Sequence, residues 1–224
     1  MDIKIENIRK SYGKNKILDG VSFSAKNGEC IGIIGGNGCG KSTLLSILAL
    51  VRKADGGSFF VSGEDILPGK AKKDKKALIG YVPQGTPLIE ELSALDNLRL
   101  WYDKEDLRRE LEDGTLKMLG IDSFLKTPVR KMSGGMKKRL SIGCSVAKNP
   151  PILLMDEPTA ALDLICKEQI REYMTGHKKK GGILILTTHD ERELALCDRL
   201  FVIKNGKAEE VFFDGDTRKL TERF

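Results

Sequence analysis

Residues 30–51 read CIGIIGGNGCGKSTLLSILALV, three textures in one run. CIGIIG is a short apolar segment, the pattern of a strand buried on both faces. STLLSILALV carries a helical apolar face and no breaker. Where they meet, residues 35–41 set four glycines ahead of a single lysine. The spacing Gly35-x4-Gly40-Lys41-Ser42 is the pattern of a phosphate-binding loop, and strand, loop and helix supply the context it needs. Glycines let the backbone wrap closely, so that successive N–H groups point inward at an anion. The helix beginning near Lys41 aims its positive end at the same spot. Lys41 adds a cation for the outer phosphates, and the Ser42 hydroxyl is placed to ligate Mg²⁺.

A second apolar run, ILLMDEPT at residues 152–159, ends on two acids. Ligands of open α/β sheets bind at the carboxyl ends of strands, so Asp156 is expected to hold Mg²⁺ and Glu157 to orient and deprotonate an attacking water. Two acids after a strand also suit a helix N-terminal cap; the phosphate loop in the same chain favours the chemical roles. His189 follows ILILTT at another strand end, within reach of a γ-phosphate. Gln84 is expected to end a third strand, ALIGYVPQ, and to touch the metal or the water. His177 is expected to be an exposed helix-end residue.

Around these segments the texture varies. Residues 1–29 alternate apolar and polar side chains and are punctuated by Gly13, Gly20 and Gly28, which predicts short antiparallel strands. GGSFFVSGEDI continues in strand texture. From Leu88 to about Asn149 leucines recur at helical spacing, a small helical insertion. PILLMDEP, a helix from about Asp163 to Lys179 and GGILILTTHD form a βαβ unit. RLFVIKNGKAEEVFF reads as a hairpin turning on Asn205-Gly206. The expected fold is therefore α/β: a nucleotide-triphosphatase core with a mixed sheet (residues 1–87 and 150–224), an antiparallel β subdomain at the N-terminus, and a helical subdomain over about 88–149.

The chain has 224 residues and a net charge of +6. Much of that charge lies in GKAKKDKK (69–76), a turn-like stretch that reads as a solvated loop. More of it lies in HKKKGG (177–182), where lysines suit the negative end of a helix. No specific nucleic-acid partner is expected. No apolar run approaches the ~18 residues that span a bilayer, and MDIKIENIRKSYG lacks the apolar centre of a signal peptide. Five cysteines, none close to another in sequence, read as reduced and mostly buried thiols. Cys39 lies inside the loop, so bound nucleotide is expected to shield it from thiol reagents.

These motifs, in this order, resemble the nucleotide-binding subunit of an ABC transporter over nearly the whole chain. The resemblance rests on Tyr12, GGNGCGKST (35–43), Gln84, MSGGMKKRL (132–140), ILLMDEPTAALD (152–163) and His189. It implies that ATP is bound by Gly35, Gly36, Asn37, Gly38, Cys39, Gly40, Lys41, Ser42 and Thr43, with Tyr12 stacking on adenine. Ser133, Gly134 and Gly135 start a helix to about Lys148, and that start is a second phosphate-binding end. The family arranges two subunits head to tail, so that this end of one closes over the nucleotide of the other, with Asp163 crossing the interface. Glu157 then activates water, Lys41 and His189 stabilise charge on the γ-phosphate, and Ser42, Gln84 and Asp156 surround the metal.

The partner implied is a separate membrane permease, reached through Gln84 and the segment from Gly85 to about Trp101. The subunit would sit in the cytoplasm against the inner face of the membrane, since 224 residues leave no room for a fused permease. The pair is a homodimer or a heterodimer. SGGMKKRL looks like the drug- and polysaccharide-exporter class, which tilts the reading towards export. The sequence departs from the family at Met136, where glutamine is usual, in lacking a proline after Asp163, and at Gly36 and Cys39. Two other readings remain: a non-transport ABC ATPase acting on nucleic acid, ribosomes or a regulatory partner, and an ATP-binding subunit without turnover.

Overall fold

The computed structural model describes residues 1–69, 76–216, 218 and 220. The lysine-rich run, apart from Gly69 and Lys76, lies outside the described residues. From the N-terminus the elements are β1 (Asp2–Tyr12), β2 (Asn15–Lys26), β3 (Cys30–Ile34), α1 (Lys41–Leu48), β4 (Gly56–Val61), β5 (Glu64–Asp65) and β6 (Ile79–Val82). The chain then runs through α2 (Ala94–Arg99), α3 (Lys104–Asp113), α4 (Thr115–Met118) and α5 (Gly134–Ser145). It returns through β7 (Ile152–Asp156), α6 (Leu164–Lys179), β8 (Ile183–Thr187), α7 (Glu191–Leu194), β9 (Arg199–Lys204) and β10 (Lys207–Val211).

Two sheets result. One is antiparallel, in the order β2-β1-β4-β5; the other runs β10-β9-β3-β8-β7-β6 and is parallel from β9 to β6. The three central strands of the parallel sheet are buried at every position. Their side chains alternate between two cores, as strand geometry requires. Ile31, Ile33, Ile152, Leu154, Ile183 and Ile185 face the antiparallel sheet and α1. Cys30, Leu153, Met155, Leu184 and Leu186 face the helices. Covering both faces explains why these strands read as unbroken apolar runs rather than alternating ones.

Several expectations change in detail. The N-terminal strands are two long ones, not several short ones. Gly20 does not break β2; Ile8 pairs with Val21 and Arg9 with Asp19, so Gly20 is the extra residue of a bulge, at φ 98°. β6 ends at Val82, so Gln84 lies two residues beyond the strand. In IEELSALDNLRLWY the helix starts only at Ala94. Ser93 caps it by accepting from Asp96 N, and buried Asn97 holds both backbone groups of Ile89 at 2.9 and 3.1 Å. The helix expected to run to about Lys148 ends at Ser145.

His177 is not exposed. It closes α6 half-buried against Gly182, its Nε2 buried without a hydrogen-bond partner among the described residues. Burial holds its pKa below the usual value of 6.5. The lysines beside it do end the helix, as expected. The hairpin turns at Asn205-Gly206, both with positive φ. All five cysteines are free; Cys30, Cys144 and Cys166 are buried, while Cys39 and Cys197 are half-buried. Among the described residues no helix is long and apolar enough to cross a membrane.

Candidate functional site

The register of the parallel sheet sets the site. Ile33 of β3 pairs with Thr187 of β8, and Thr187 pairs with Asp156 of β7. Three strand ends therefore lie in one row, spanning about 10 Å at the usual strand spacing. The glycine loop leaves β3 at this edge, and residues 157 and 189 follow β7 and β8 at the same edge.

The loop needs glycine at two positions for different reasons. Gly35 has φ 142°, and a Cβ there would lie 2.7 Å from Ile203 O and 2.8 Å from Cys39 Sγ. Gly40 has φ 110° and caps α1; a Cβ there would lie 2.9 Å from Ile17 Cγ2 and Leu18 Cδ2. Gly36 has open space around it, so the family departure there is sterically free. Lys41 is buried at 7% exposure, and its ammonium donates to Gly35 O at 2.8 Å and Gly36 O at 3.2 Å. A cation thus sits inside the loop's curve. Asn37, Gly38 and Ser42 are exposed; Thr43 and Cys39 are half-buried.

The two acids have different surroundings. Asp156 is buried, and its Oδ1 accepts from Thr187 Oγ1 at 2.5 Å. Glu157 turns the chain with φ 47°, a left-handed conformation that side-chain-bearing residues seldom adopt. Its N–H holds that turn by donating to Thr187 O at 3.1 Å and Thr187 Oγ1 at 3.0 Å. The reversal sends the Glu157 carboxylate towards two groups from elsewhere. Gln84 Nε2 donates to Glu157 Oε2 at 3.1 Å, and His189 Nε2 lies 3.8 Å from Glu157 Oε1. Three residues singled out in the sequence thus meet.

Behind them lies a group the sequence did not reveal. Glu193 on α7 is 1% exposed; it accepts from Thr159 Oγ1 at 2.5 Å and from Thr188 Oγ1. Burial raises its pKa. One buried carboxyl therefore ties the segment after Glu157 to the residue before His189. The only hint in the sequence was an acid at the start of a helix; its burial is made by threonines on distant segments.

The remaining residues lie apart. Ser133 caps α5, accepting from Met136 N at 3.2 Å, and Asp163 caps α6, accepting from Cys166 N at 2.9 Å. That hydrogen bond lowers the Asp163 pKa. α5 and α6 approach so closely at Gly135 that a Cβ there would lie 2.7 Å from Cys166 Sγ. Met136 packs against the helical core. Tyr12 ends β1 half in solvent, with Lys10 and Arg52 over its ring at 5.7 and 5.4 Å. No hydrogen bond or ion pair among the described residues joins Ser133–Gly135 to the loop.

The donor set fits a nucleoside triphosphate with a hard cation. The loop leaves room that only glycine leaves, Lys41 is enclosed by it, and the nearby candidates for metal contact are hydroxyl, amide and carboxylate oxygens.

A family model described as ABC transporter matches residues 18–160. Nod factor export ATP-binding protein I of Ralstonia nicotianae is 35% identical over 211 residues, which are 92% of this chain and 65% of that protein. The chain thus spans just under two thirds of that relative's length. A probable sulfate/thiosulfate import ATP-binding protein of Chlorella vulgaris is 33% identical over 99% of this chain and 94% of its own. Among solved structures, an ATP-binding cassette captured as a dimer in a post-hydrolysis state with ADP and Pi is 29% identical. It superposes with a TM-score of 0.81 over 93% of this chain and 97% of its own.

Proposed function

The chain belongs to the ABC transporter family, and we propose that it is the ATP-binding and ATP-hydrolysing subunit that drives a separate membrane permease. The observation that carries this reading is the meeting of Gln84 and His189 at the carboxylate of Glu157, on the sheet edge from which the glycine loop departs.

The loop from Gly35 to Thr43 binds the phosphates, with Lys41 moving from the carbonyls of Gly35 and Gly36 to phosphate oxygens. Tyr12 supports the adenine. Ser42, Asp156 and Gln84 would hold Mg²⁺, which when bound neutralises charge on the β- and γ-phosphates. Glu157 takes a proton from the attacking water, Gln84 orients that water, and His189 donates to the γ-phosphate. The bond to the γ-phosphorus breaks with ADP as leaving group.

Ser133, Gly134 and Gly135 present a second phosphate-binding helix start that, among the described residues, makes no hydrogen bond or ion pair to the chain's own loop. A head-to-tail pair supplies each half with its complement, and the dimeric state of a solved relative supports pairing. Asp163, exposed beside this helix start, belongs to the same interface. The proposed division of labour follows: residues 1–87 and 150–224 bind nucleotide, and 88–149 carry the second phosphate end. The permease docks near a groove of about 710 Å³ between these parts, lined by Val51, Tyr81, Leu88, Trp101 and Cys144. Val51 and Trp101 are 73% and 57% exposed there. Docking would hold the subunit at the inner membrane face. Relatives named for export and for import favour transport over a nucleic-acid or ribosomal role. The export direction rests on the resemblance of SGGMKKRL.

The test is Glu157→Gln. It should abolish Mg²⁺-dependent hydrolysis while ATP still drives dimer formation, read by size-exclusion chromatography. Hydrolysis at the parent rate would remove Glu157 as the base.

A further inference from the structure

Lys138 lies on α5, one turn beyond Ser133, at 5% exposure. A buried ammonium normally keeps a carboxylate partner. This one forms no ion pair among the described residues. Its hydrogen bonds go to two backbone carbonyls, Pro83 O at 2.8 Å and Gln84 O at 3.3 Å. Burial pulls its pKa down, and the charges of Asp156, Glu157 and Glu193 do not fully restore it. Such a placement costs stability, and it is spent on holding the segment that carries Gln84.

That segment leads directly to the base, because Gln84 Nε2 donates to Glu157 Oε2 at 3.1 Å. The connected path runs from Ser133, through about 7–8 Å of rigid helix, to Lys138, to the backbone of residues 83 and 84, to the Gln84 amide, and to Glu157. We propose that Lys138 is a positioning residue through which α5 sets Gln84 and Glu157, so that occupation of the phosphate end at Ser133–Gly135 governs hydrolysis in the chain's own loop. The inference rests on the proposed roles of Gln84, Glu157 and Ser133. What it adds is the side chain, Lys138, that carries the coupling between the two nucleotide sites of a pair.

The experiment is a double-mutant cycle on steady-state hydrolysis by the purified full chain, with Lys138→Met, Gln84→Ala and the combination. Lys138→Met should lower kcat by about tenfold or more with KM for ATP little changed, and bring the Hill coefficient towards about 1. Lys138→Gln, which keeps an N–H donor without the charge, should recover much of the rate. In the Gln84→Ala background Lys138→Met should cost almost nothing further. An equal fractional loss in both backgrounds overturns this inference alone. Parental turnover by Gln84→Ala overturns the catalytic reading of Gln84 and the inference with it. Should Lys138→Met fail to fold, Lys138→Ala runs through the same cycle, and the same additive outcome refutes the coupling.

Discussion

Gly135→Ala tests the link between packing and site most directly. The new Cβ would lie 2.7 Å from Cys166 Sγ and 3.5 Å from Asp163 Oδ2. Cys166 has little room to yield: it is buried, and its N–H is held by Asp163 Oδ1 at 2.9 Å. Overpacking of this kind costs about 1–3 kcal/mol. The helix recovers about 1 kcal/mol, since alanine is the better helix former. The net loss is up to about 2 kcal/mol, or a fall in Tm of up to about 8 °C for a chain of this size.

The structure also says how to undo it. Cys166→Ala removes the colliding sulfur, and the new methyl group then fills part of the space. Gly135→Ala with Cys166→Ala should therefore be more stable than the sum of the single changes by about 1 kcal/mol or more. Gly134→Ala is the control: no atom lies within 4 Å of a Cβ there, so it should be neutral or slightly stabilising. Thermal unfolding followed by circular dichroism reads all four proteins, and ATP hydrolysis reads any displacement of the helix start at Ser133–Gly135. Additive losses in the double variant would refute the contact as the cause. So would a Gly134→Ala protein as damaged as Gly135→Ala.

Two further outcomes are expected. ATP with Mg²⁺ should protect Cys39 from alkylation, because its sulfur is packed into the loop beside Gly35; equal labelling with and without nucleotide, read by mass spectrometry, would contradict the loop's role. Folding favours the neutral ring of His177, whose pKa burial depresses, so the stability it contributes is present above pH 6.5 and is lost as pH falls through the lower folded value. His177→Gln should lose less Tm than the parent between about pH 8 and about pH 5.

The legible parts of the molecule were those with local causes. The starts of α5 and α6 lie at Ser133 and Asp163, where a short side-chain oxygen satisfies an orphan N–H. The central strands announced themselves because both their faces are covered. What stayed hidden came from contacts between distant segments. Gln84 and Glu157 are 73 residues apart, and no periodicity links them. Nothing in the sequence of MKKRL separates Lys138 from Lys137, yet the Lys138 ammonium is buried against residues 83 and 84. His177 looked like part of a basic helix end, but the backbone turning at Gly181 and Gly182 folds over it.

Thr187 shows how a single side chain gives two adjacent acids different work. Its hydroxyl donates to Asp156 Oδ1 and also accepts from Glu157 N–H. The first bond holds a buried carboxylate against the neighbouring strand. The second stabilises a left-handed turn that would otherwise cost about 1–3 kcal/mol. Without that turn Glu157 would continue β7, and its carboxylate would leave Gln84 and His189. The strain is therefore local to the one residue whose direction the proposed chemistry depends on, and β8 supplies the restraint. Since His189 follows β8 by two residues, the strand that holds the base in place also delivers the group opposite it. A shift of β8 relative to β7 would therefore disturb both the turn at Glu157 and the position of His189.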